Sequence, residues 1–393
     1  MQKKLIALAV AGVFAAPAFA ATSNVDVYGV LTLSVDVINT DSSISSEDDK
    51  LTRVSSNSSR IGFKGSEDLG GGLKGLWQIE SQLDMENGTN NLQFGSNSAA
   101  PGQIGGAGTL SGGNFSTSLR NTFIGLGGGF GTVLLGKHDT PYKLATGKLD
   151  VFVDTAADYN NLVSNFSGAN VFDLRTGNTI VYFSPNFSGF SGAIAYVAGN
   201  ELGNDTSANP NAWSLMGMYD NGPIFASLAY EKHNNVQESG TSFGSELDNR
   251  AWKLGLGYKF GNAKVGLIYE DIKLDDQSDN YKRKAWYLNG MYTMGNVDLK
   301  AAYGSAGDIK GTGGFNDTGA KTYAIGADYN MSKRTKLYAL YTKMDNDTNA
   351  SYGVGVGQGS AYFPDNSTSP GSTTNGDSGD SPSVISIGVR HSF

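Results

Sequence analysis

The chain has 393 residues, with 29 Lys and Arg against 37 Asp and Glu, a net charge of −8 at pH 7. That acidic balance argues against a nucleic-acid partner, because nucleic-acid-binding proteins carry basic patches. There is no cysteine, so no disulfide can hold the chain together. Beyond the first 20 residues, no segment approaches the run of about 18 apolar residues that a transmembrane helix needs.

The N-terminal segment has the parts of a secretory signal peptide. Lys3 and Lys4 precede an apolar run, which ends in the small-x-small sequence Ala18-Phe19-Ala20. We expect cleavage after Ala20, which leaves residues 21–393 as the exported protein. Removing two lysines leaves 27 basic against 37 acidic residues, a net charge of −10. An exported chain without disulfides needs a large core or a closed hydrogen-bonded sheet for stability.

The middle of the chain alternates in a period of two, which is the period of a β-strand. In AWKLGLGYKF, residues 251–260, Trp252, Leu256 and Phe260 share one face, while Lys253 and Lys259 share the other. The same alternation recurs at 265–269, 286–293, 297–303, 323–330 and 385–393. Aromatic residues fall repeatedly at strand ends beside turns, which is typical of the interfacial aromatic girdles of membrane barrels.

Short and long connections alternate along the chain. Three long polar connections span 84–119, 138–175 and 345–382. Seven short turns join fourteen strands, and two terminal strands bring the count to sixteen; the turns begin at Asp68, Gly127, Pro185, Asp220, Gly261, Met294 and Met331. Such alternation is typical of outer-membrane barrels. We therefore predict an all-β fold, a 16-stranded antiparallel transmembrane β-barrel.

One stretch imitates a phosphate-binding loop. GTVLLGKHDT, residues 131–140, matches G-x-x-x-x-G-K, but its central residues predict a strand rather than a glycine-rich turn. His138 stands where a hydroxyl residue is required, and Pro141 follows where a helix should continue. We interpret the stretch as a strand, and no cofactor is predicted.

Several blocks resemble the general-diffusion porins of Gram-negative bacteria. They are VDVYGVLTLSVD, SSRIGFKGSEDLGGGLKGLWQIES, RNTFIGLGGGFGTVLLGKHDTPYK, NTIVYFSPNFSGFSGAIAY and the terminal VRHSF. The resemblance implies a homotrimer in the outer membrane, in contact with lipid and lipopolysaccharide, that passes small hydrophilic solutes. It also implies that the C-terminal Phe393 is part of the signal read by the barrel-assembly machinery.

The same resemblance implies that the third loop, about residues 138–177, folds into the lumen and narrows it. Its apolar residues, such as Phe152 and Leu162, are unusual for a solvated external loop. By analogy with the family, basic residues line one wall of this constriction, with acids of the loop opposite. The predicted set is Arg60, Lys64, Lys74, Arg120 and Arg175 on the wall, and Asp150, Asp154 and Asp158 on one face of a helical turn in the loop.

Strand parity supports part of this arrangement. It places Arg60, Lys64 and Lys74 inside the barrel, and it places Arg120 inside with Phe123 facing lipid. A basic wall predicts slight anion preference, whereas the negative net charge could attract cations to the channel mouths. Small residues on the lipid face, namely Gly29, Gly65 and Gly125, could allow close packing of barrels.

Other classes of function remain open at this point. A barrel enzyme would need a nucleophile and an oriented base, but no partner pattern surrounds His138, His233 or His391. A substrate-specific channel would show an aromatic slide inside the lumen, whereas nearly all aromatics have outward parity. A surface-binding or adhesive barrel would suit the long Gly/Ser/Asn loops. Carboxylate-rich loops could hold calcium, but they show no ordered ligand set and no metal site is predicted.

Overall fold

The computed structural model describes residues 24–41, 50–83, 85, 119–166, 169–199, 210–236, 247–275, 280–311, 316–355, 363–364, 375–376 and 379–393. The predicted signal peptide lies outside the described residues. Within these ranges no helix is long and apolar enough to cross a membrane.

The chain is built almost wholly of β-strands. Those before the third loop are β1 (Asn24–Asn39), β2 (Lys50–Ser56), β3 (Arg60–Gly70), β4 (Leu73–Gln82), β5 (Thr122–Gly128) and β6 (Gly131–Asp139). The loop contains helix α1 (Pro141–Leu144), two 3-10 turns (Gly147–Leu149 and Tyr159–Asn161) and the short pair β7 (Asn165–Phe166) and β8 (Ala169–Asn170).

The remaining elements continue the same up-and-down pattern. They are β9 (Arg175–Phe183), β10 (Phe190–Ala198), β11 (Asn211–Asn221), β12 (Ile224–Val236), β13 (Leu247–Phe260), β14 (Ala263–Asp275), β15 (Asn280–Met294), β16 (Val297–Ala306), β17 (Ala320–Asn330), β18 (Thr335–Asn346), β19 (Phe363–Pro364), β20 (Asn375–Gly376) and β21 (Ser383–Ser392).

One antiparallel sheet closes on itself. β1 pairs with β21 on one side and with both β2 and β3 on the other. β2 and β3 are therefore two halves of one strand, interrupted at residues 57–59. Counting them as one, and leaving out the short pairs β7–β8 and β19–β20, gives sixteen strands. The predicted 16-stranded barrel is confirmed. Because the barrel is closed, its sheet has no open edge. A chain without disulfides needs this complete pairing of strands for stability in a membrane.

The two faces of the wall differ in polarity, as the period of two predicts. Along β1, Val35 and Val37 are exposed on the outer face, whereas Thr32, Ser34 and Asp36 are buried on the inner face. The predicted faces of residues 251–260 are also confirmed, with Trp252, Leu256, Tyr258 and Phe260 exposed and Lys253 buried.

The seven predicted short turns all lie at one end of the barrel. Two of them, residues 261–262 and 295–296, need a positive φ at their first position. Gly261 has φ +56° and Gly295 has φ +61°, values that glycine adopts without steric cost. The long connections, including the third loop, leave from the opposite end.

The glycines predicted for close barrel packing have another role. A Cβ on Gly29 would meet the ring of Phe393, and one on Gly65 would meet the indole of Trp77. These glycines accommodate aromatic rings of the same barrel. Gly125 is buried and its missing Cβ points at Leu134 on the inner side, so its predicted lipid-facing position is wrong.

The parity prediction is also wrong for β5. Ile124 and Leu126 are the exposed residues, whereas Phe123 packs on Leu134 inside the barrel with its ring 5.4 Å from that of His138. β5 begins only at Thr122, so counting parity from Arg120 crosses irregular backbone.

Candidate functional site

Residues 140–174, which we call loop 3, connect β6 to β9 and pack against the inner wall. The Thr140 hydroxyl caps α1 by accepting a hydrogen bond from the Lys143 amide, and Pro141 occupies the first turn, where proline is well tolerated. Many apolar residues of the loop are buried, among them Val151, Phe152, Leu162, Val163, Phe166 and Phe172. They contact inward-facing side chains of strands β12 to β18, and so explain why the loop carries apolar residues at all.

Glu270 of β14 is the main anchor of loop 3. Its carboxylate accepts hydrogen bonds from the Tyr142 hydroxyl at 2.7 Å, the Ser164 amide at 2.8 Å and the Ser164 hydroxyl at 3.0 Å. Arg283 of β15 forms an ion pair with the same carboxylate at 3.0 Å and donates to the Leu162 carbonyl. Both charged side chains are fully buried. A buried charge of this kind needs several partners, and loop 3 supplies most of them.

A second anchor lies at Asp173, near the end of the loop. Its carboxylate pairs with the buried ammonium of Lys253 on β13 and accepts hydrogen bonds from Tyr159 and Asn160. The Lys253 ammonium also lies 4.3 Å from the centre of the Tyr142 ring. The two anchors hold both ends of loop 3 to β13, β14 and β15.

Three arginines lie on the opposite wall. Arg60 begins β3, Arg120 precedes β5, and Arg175 begins β9. Arg120 forms an ion pair with Glu80 at 2.7 Å, and Arg175 pairs with Asp139 at 3.0 Å. Arg60 and Arg175 are both close enough to interact electrostatically with Arg120. The structure thus brings together the three arginines that the resemblance grouped.

Asp154 is the loop residue that meets this wall. One of its carboxylate oxygens accepts from Arg60 at 3.1 Å and from Arg390 of β21 at 2.9 Å. Its backbone is left-handed, with φ +57°, which turns the tip of the loop toward the arginines. Burial opposes ionisation of Asp154, but Arg60, Arg390 and Arg120 outweigh it and lower the pKa of this carboxyl.

The helical turn predicted for Asp150, Asp154 and Asp158 is wrong. The described loop is helical only at 141–144 and has 3-10 turns at 147–149 and 159–161. Asp150 is buried and accepts hydrogen bonds from the backbone amides of Phe152 and Tyr159. Asp158 caps the second 3-10 turn by accepting from the Asn160 amide. Because the carboxylates of Asp150 and Asp158 accept hydrogen bonds from backbone amides of the loop itself, Asp154 is the one of the three acids that contacts the arginines.

The three acids also differ in the pKa of their carboxyl groups. Burial, together with repulsion from Asp158, raises the pKa of Asp150 well above its ordinary value. Burial raises the pKa of Asp158 to about 6, against the hydrogen bond that it accepts from Asn160. Asp154 is therefore ionised over a wider pH range than the other two carboxyls.

The predicted lysines lie apart from the arginine wall. Lys64 and Lys74 are both exposed, and the Lys64 ammonium lies 5.1 Å from the centre of the Tyr28 ring. In the register of the sheet, Lys64 is opposite Gln78, and Lys74 is opposite Asp68 near the short-turn end of β4. Neither has an ion pair with an acid of loop 3 among the described residues.

Sequence reasoning missed two acids that pair with the arginines and a fourth arginine that shares Asp154 with Arg60. Glu80, Asp139 and Arg390 carry no motif, although strand parity does place Glu80 inside. The expectation that nearly all aromatics face outward is also too strong, because Tyr28, Phe225, Tyr287 and Tyr338 belong to the inner face. The Tyr28 hydroxyl donates a hydrogen bond to Glu80 at 2.9 Å, so this inward-facing aromatic residue helps to position the acid that pairs with Arg120.

The three histidines have structural partners. His138 lies between the rings of Phe123 and Phe183, and His233 stacks on Phe172 beside Glu231. His391 contacts the Thr335 hydroxyl at 2.8 Å. Among the residues with assigned positions, no three His, Asp or Glu side chains form a group that could hold a metal ion.

Comparison with known proteins identifies the family. The family model described as Gram-negative porin matches residues 7–349. The chain is a Gram-negative porin. Outer membrane porin protein 32 of Delftia acidovorans is 28% identical to this porin over 404 residues, which cover 100% of both chains. Major outer membrane protein P.IB of Neisseria meningitidis (strain H44/76) is 31% identical over 353 residues, which cover 85% of this porin and 91% of the relative.

Solved structures agree with the family. A structure described as an anion-selective porin from Comamonas acidovorans superposes with a TM-score of 0.72 and 25% identity, covering 94% of this porin and 100% of that chain. The predicted family is confirmed. The protein is an outer-membrane porin, a channel for small hydrophilic solutes.

Proposed function

We propose that Arg60, Arg120 and Arg175, facing Asp154 of loop 3, form the constriction of the channel and give it a slight preference for anions. The observation that carries this proposal is the shared carboxylate of Asp154, a loop residue that forms ion pairs with both Arg60 of β3 and Arg390 of β21. The loop tip is held beside the arginine wall, so a passing ion must approach these guanidinium groups.

The charge count at this position favours anions. Four guanidinium groups, of Arg60, Arg120, Arg175 and Arg390, meet three carboxylates, of Asp154, Glu80 and Asp139. The balance is one positive charge. The arginine side chains remain 13–19% exposed. In this proposal Lys64 and Lys74 add positive charge elsewhere on the lumen wall, while Asp150 and Asp158 shape the loop.

The relatives support the same proposal, since one solved relative is described as anion-selective. The experiment is a measurement of reversal potential in a planar bilayer under a gradient of KCl. Wild-type protein should give an anion-selective potential, and the variant R60Q/R120Q/R175Q should shift it toward cations. Replacing Lys333, in the short turn before β18, by Gln is the control for loss of positive charge far from the constriction. An unchanged potential in the triple variant would contradict the proposal.

We further propose that the protein assembles as a homotrimer. An outer membrane protein of Vibrio cholerae with the same fold is described in a trimer form. In this chain the outer face is uneven: β10 to β18 carry most of the exposed aromatics, whereas β1 to β6 and β21 expose mainly aliphatic residues, with Phe130 and Phe393 as aromatics at the short-turn end. Aromatic girdles form where a barrel meets the lipid interface, so the aliphatic side is the better candidate for contact between barrels.

The remaining proposals concern processing and surroundings. Residues 1–20 are removed as a signal peptide, and Phe393 contributes to recognition by the barrel-assembly machinery. Lipopolysaccharide contacts the long-loop end of the aromatic side. The chain acts as a passive channel rather than an enzyme, in keeping with the porin family to which it belongs.

A further inference from the structure

A second group of basic side chains lies away from the arginine wall, at the short-turn end of the barrel. An open cavity of about 200 Å³ is present there beneath loop 3. Its lining includes Lys148, Leu149, Phe225, Lys259, Lys264 and Asn289. These residues come from loop 3 and strands β12 to β15, whereas the arginine wall belongs to β3, β9 and the approach to β5.

Two lysines of the cavity lie where their positive charges repel each other. Lys259 and Lys264 are directly opposite each other across β13 and β14. Like charges in that position destabilise a sheet. Neither ammonium has a hydrogen bond or ion pair within the described ranges, whereas Lys148 at the same cavity pairs with Asp220 at 2.7 Å. Asp298 and Asp150 are close enough to attract the Lys264 ammonium, but neither forms an ion pair with it among the described residues.

The buried amide of Asn289 is a second, independent feature of this cavity. Its side chain is only 3% exposed, yet neither its amide nitrogen nor its amide oxygen has a hydrogen-bond partner among the described residues. A buried amide without partners is costly. Gly266 lies opposite Asn289 on β14, and a Cβ there would come within 3.2 Å of the amide nitrogen. Glycine thus leaves space beside the amide.

We propose that this cavity is a binding site for a small organic carboxylate with an apolar body. The Lys259 and Lys264 ammonium groups hold the carboxylate, and the Asn289 amide donates to it. Phe225 and Leu149 contact the apolar part. A cavity of this volume suits a ligand of about ten non-hydrogen atoms, smaller than a drug-sized molecule. The site is separate from the arginine constriction and lies on the other side of loop 3.

Benzoate is a suitable probe, and benzyl alcohol is its neutral counterpart. Binding to the folded barrel in detergent micelles is measured by saturation-transfer NMR, which does not depend on conductance. We expect benzoate to bind with a saturable isotherm and benzyl alcohol to bind at least about tenfold more weakly. The variant K259Q/K264Q should also weaken benzoate binding at least about tenfold.

Asn289→Leu tests the amide without disturbing the fold, because leucine has a similar size and removes an unsatisfied polar group. We expect it to weaken benzoate binding about fivefold or more while the barrel keeps its thermal stability. Lys333→Gln is the matched control for charge, and it should bind benzoate as wild type does.

Two results would overturn the site: equal benzoate binding by wild type and K259Q/K264Q, or equal binding of benzoate and benzyl alcohol. Its failure is distinguishable from failure of the constriction, since the reversal potential tests Arg60, Arg120 and Arg175 separately. A channel that is anion-selective but does not bind benzoate would retain the constriction and reject the cavity site.

Discussion

In the proposed constriction, Asp154 is the residue of loop 3 that forms ion pairs with the arginines. Its carboxylate neutralises parts of two guanidinium groups, Arg60 and Arg390, and removing its charge leaves both groups with excess positive potential. We expect Asp154→Asn to raise the ratio of chloride to potassium permeability by about two- to threefold at 0.1 M salt, and less at 1 M because of screening. The reversal potential measures this ratio.

The control for that substitution is Asp317→Asn, which changes the charge of an exposed residue in a long-loop connection. It should leave the permeability ratio close to that of wild type. A shift as large in Asp317→Asn as in Asp154→Asn would mean that overall charge, rather than the loop tip, controls selectivity.

Asp158 makes loop 3 sensitive to pH. Burial raises the pKa of this carboxyl to about 6, from an ordinary value of 3.8, so the packed loop holds the proton more tightly than a detached loop does. The contribution of protonated Asp158 to the stability of the packed loop is therefore fully present below about pH 4 and is lost as pH rises to about 6. Asp150 acts in the same direction, because burial and Asp158 raise its pKa.

We expect the hydrogen-exchange protection of the Asp154 and Asn160 amides, which donate to Asp158, to fall between pH 4.5 and pH 7 after correction for intrinsic rates. Asp158→Asn should remove the part of the pH dependence that Asp158 causes and retain the part that Asp150 causes. Protection that is constant over this range in the wild type would refute the argument.

Single residues differ in how far the sequence predicts them. The grouping of Arg60, Arg120 and Arg175 was predicted from the resemblance to the family, since strand parity counted from Arg120 crosses irregular backbone, and the structure places the three arginines near one another. The orientation of Asp150 and Asp158 was not predictable, because it depends on backbone amides that only the folded loop presents. Arg390 was missed because its partner, Asp154, is 236 residues away in the chain.

At the scale of elements, loop 3 depends on a buried charge in the wall. Glu270 holds Tyr142, Ser164 and Arg283 at once. Glu270→Gln leaves the Arg283 guanidinium buried without its counter-charge, which typically costs about 3–5 kcal/mol. We expect the loop to detach intermittently, so single-channel recordings should show larger and noisier conductance.

The double variant Glu270→Gln with Arg283→Met removes both buried charges and should return the current noise toward that of wild type. Glu67→Gln, an exposed substitution at the short-turn end of β3, is the matched control. If Glu270→Gln gives the same quiet conductance as Glu67→Gln, the ion pair does not fix the loop.

The sequence predicts elements better than it predicts their irregularities. Six of the seven short turns contain glycine, which provides the backbone angles that such turns need, whereas the turn at Met331 was located only from the polar sequence between two alternating segments. The break between β2 and β3 and the late start of β5 were missed, because a period of two does not show where pairing stops. The wrong orientation of Phe123 follows from that late start.

At the scale of the whole molecule, the uneven outer face predicts where barrels meet. Val35 of β1 is directly opposite Ile387 of β21 and Val54 of β2, and all three side chains are more than half exposed. They form an aliphatic patch across the seam where the barrel closes. A flat patch of small apolar side chains permits close contact between barrels, which van der Waals packing stabilises in a membrane.

Val35→Trp should separate the barrels without harming each barrel, because tryptophan remains compatible with lipid but is too large for a close contact. We expect unheated samples in mild detergent to change from trimer to monomer, while the monomer keeps its β-sheet circular dichroism. Ile325→Trp is the matched control, since Ile325 is 62% exposed on the aromatic side of the barrel. It should remain trimeric. Loss of the trimer in Ile325→Trp but not in Val35→Trp would place the contact on the aromatic side, against the argument from the girdle.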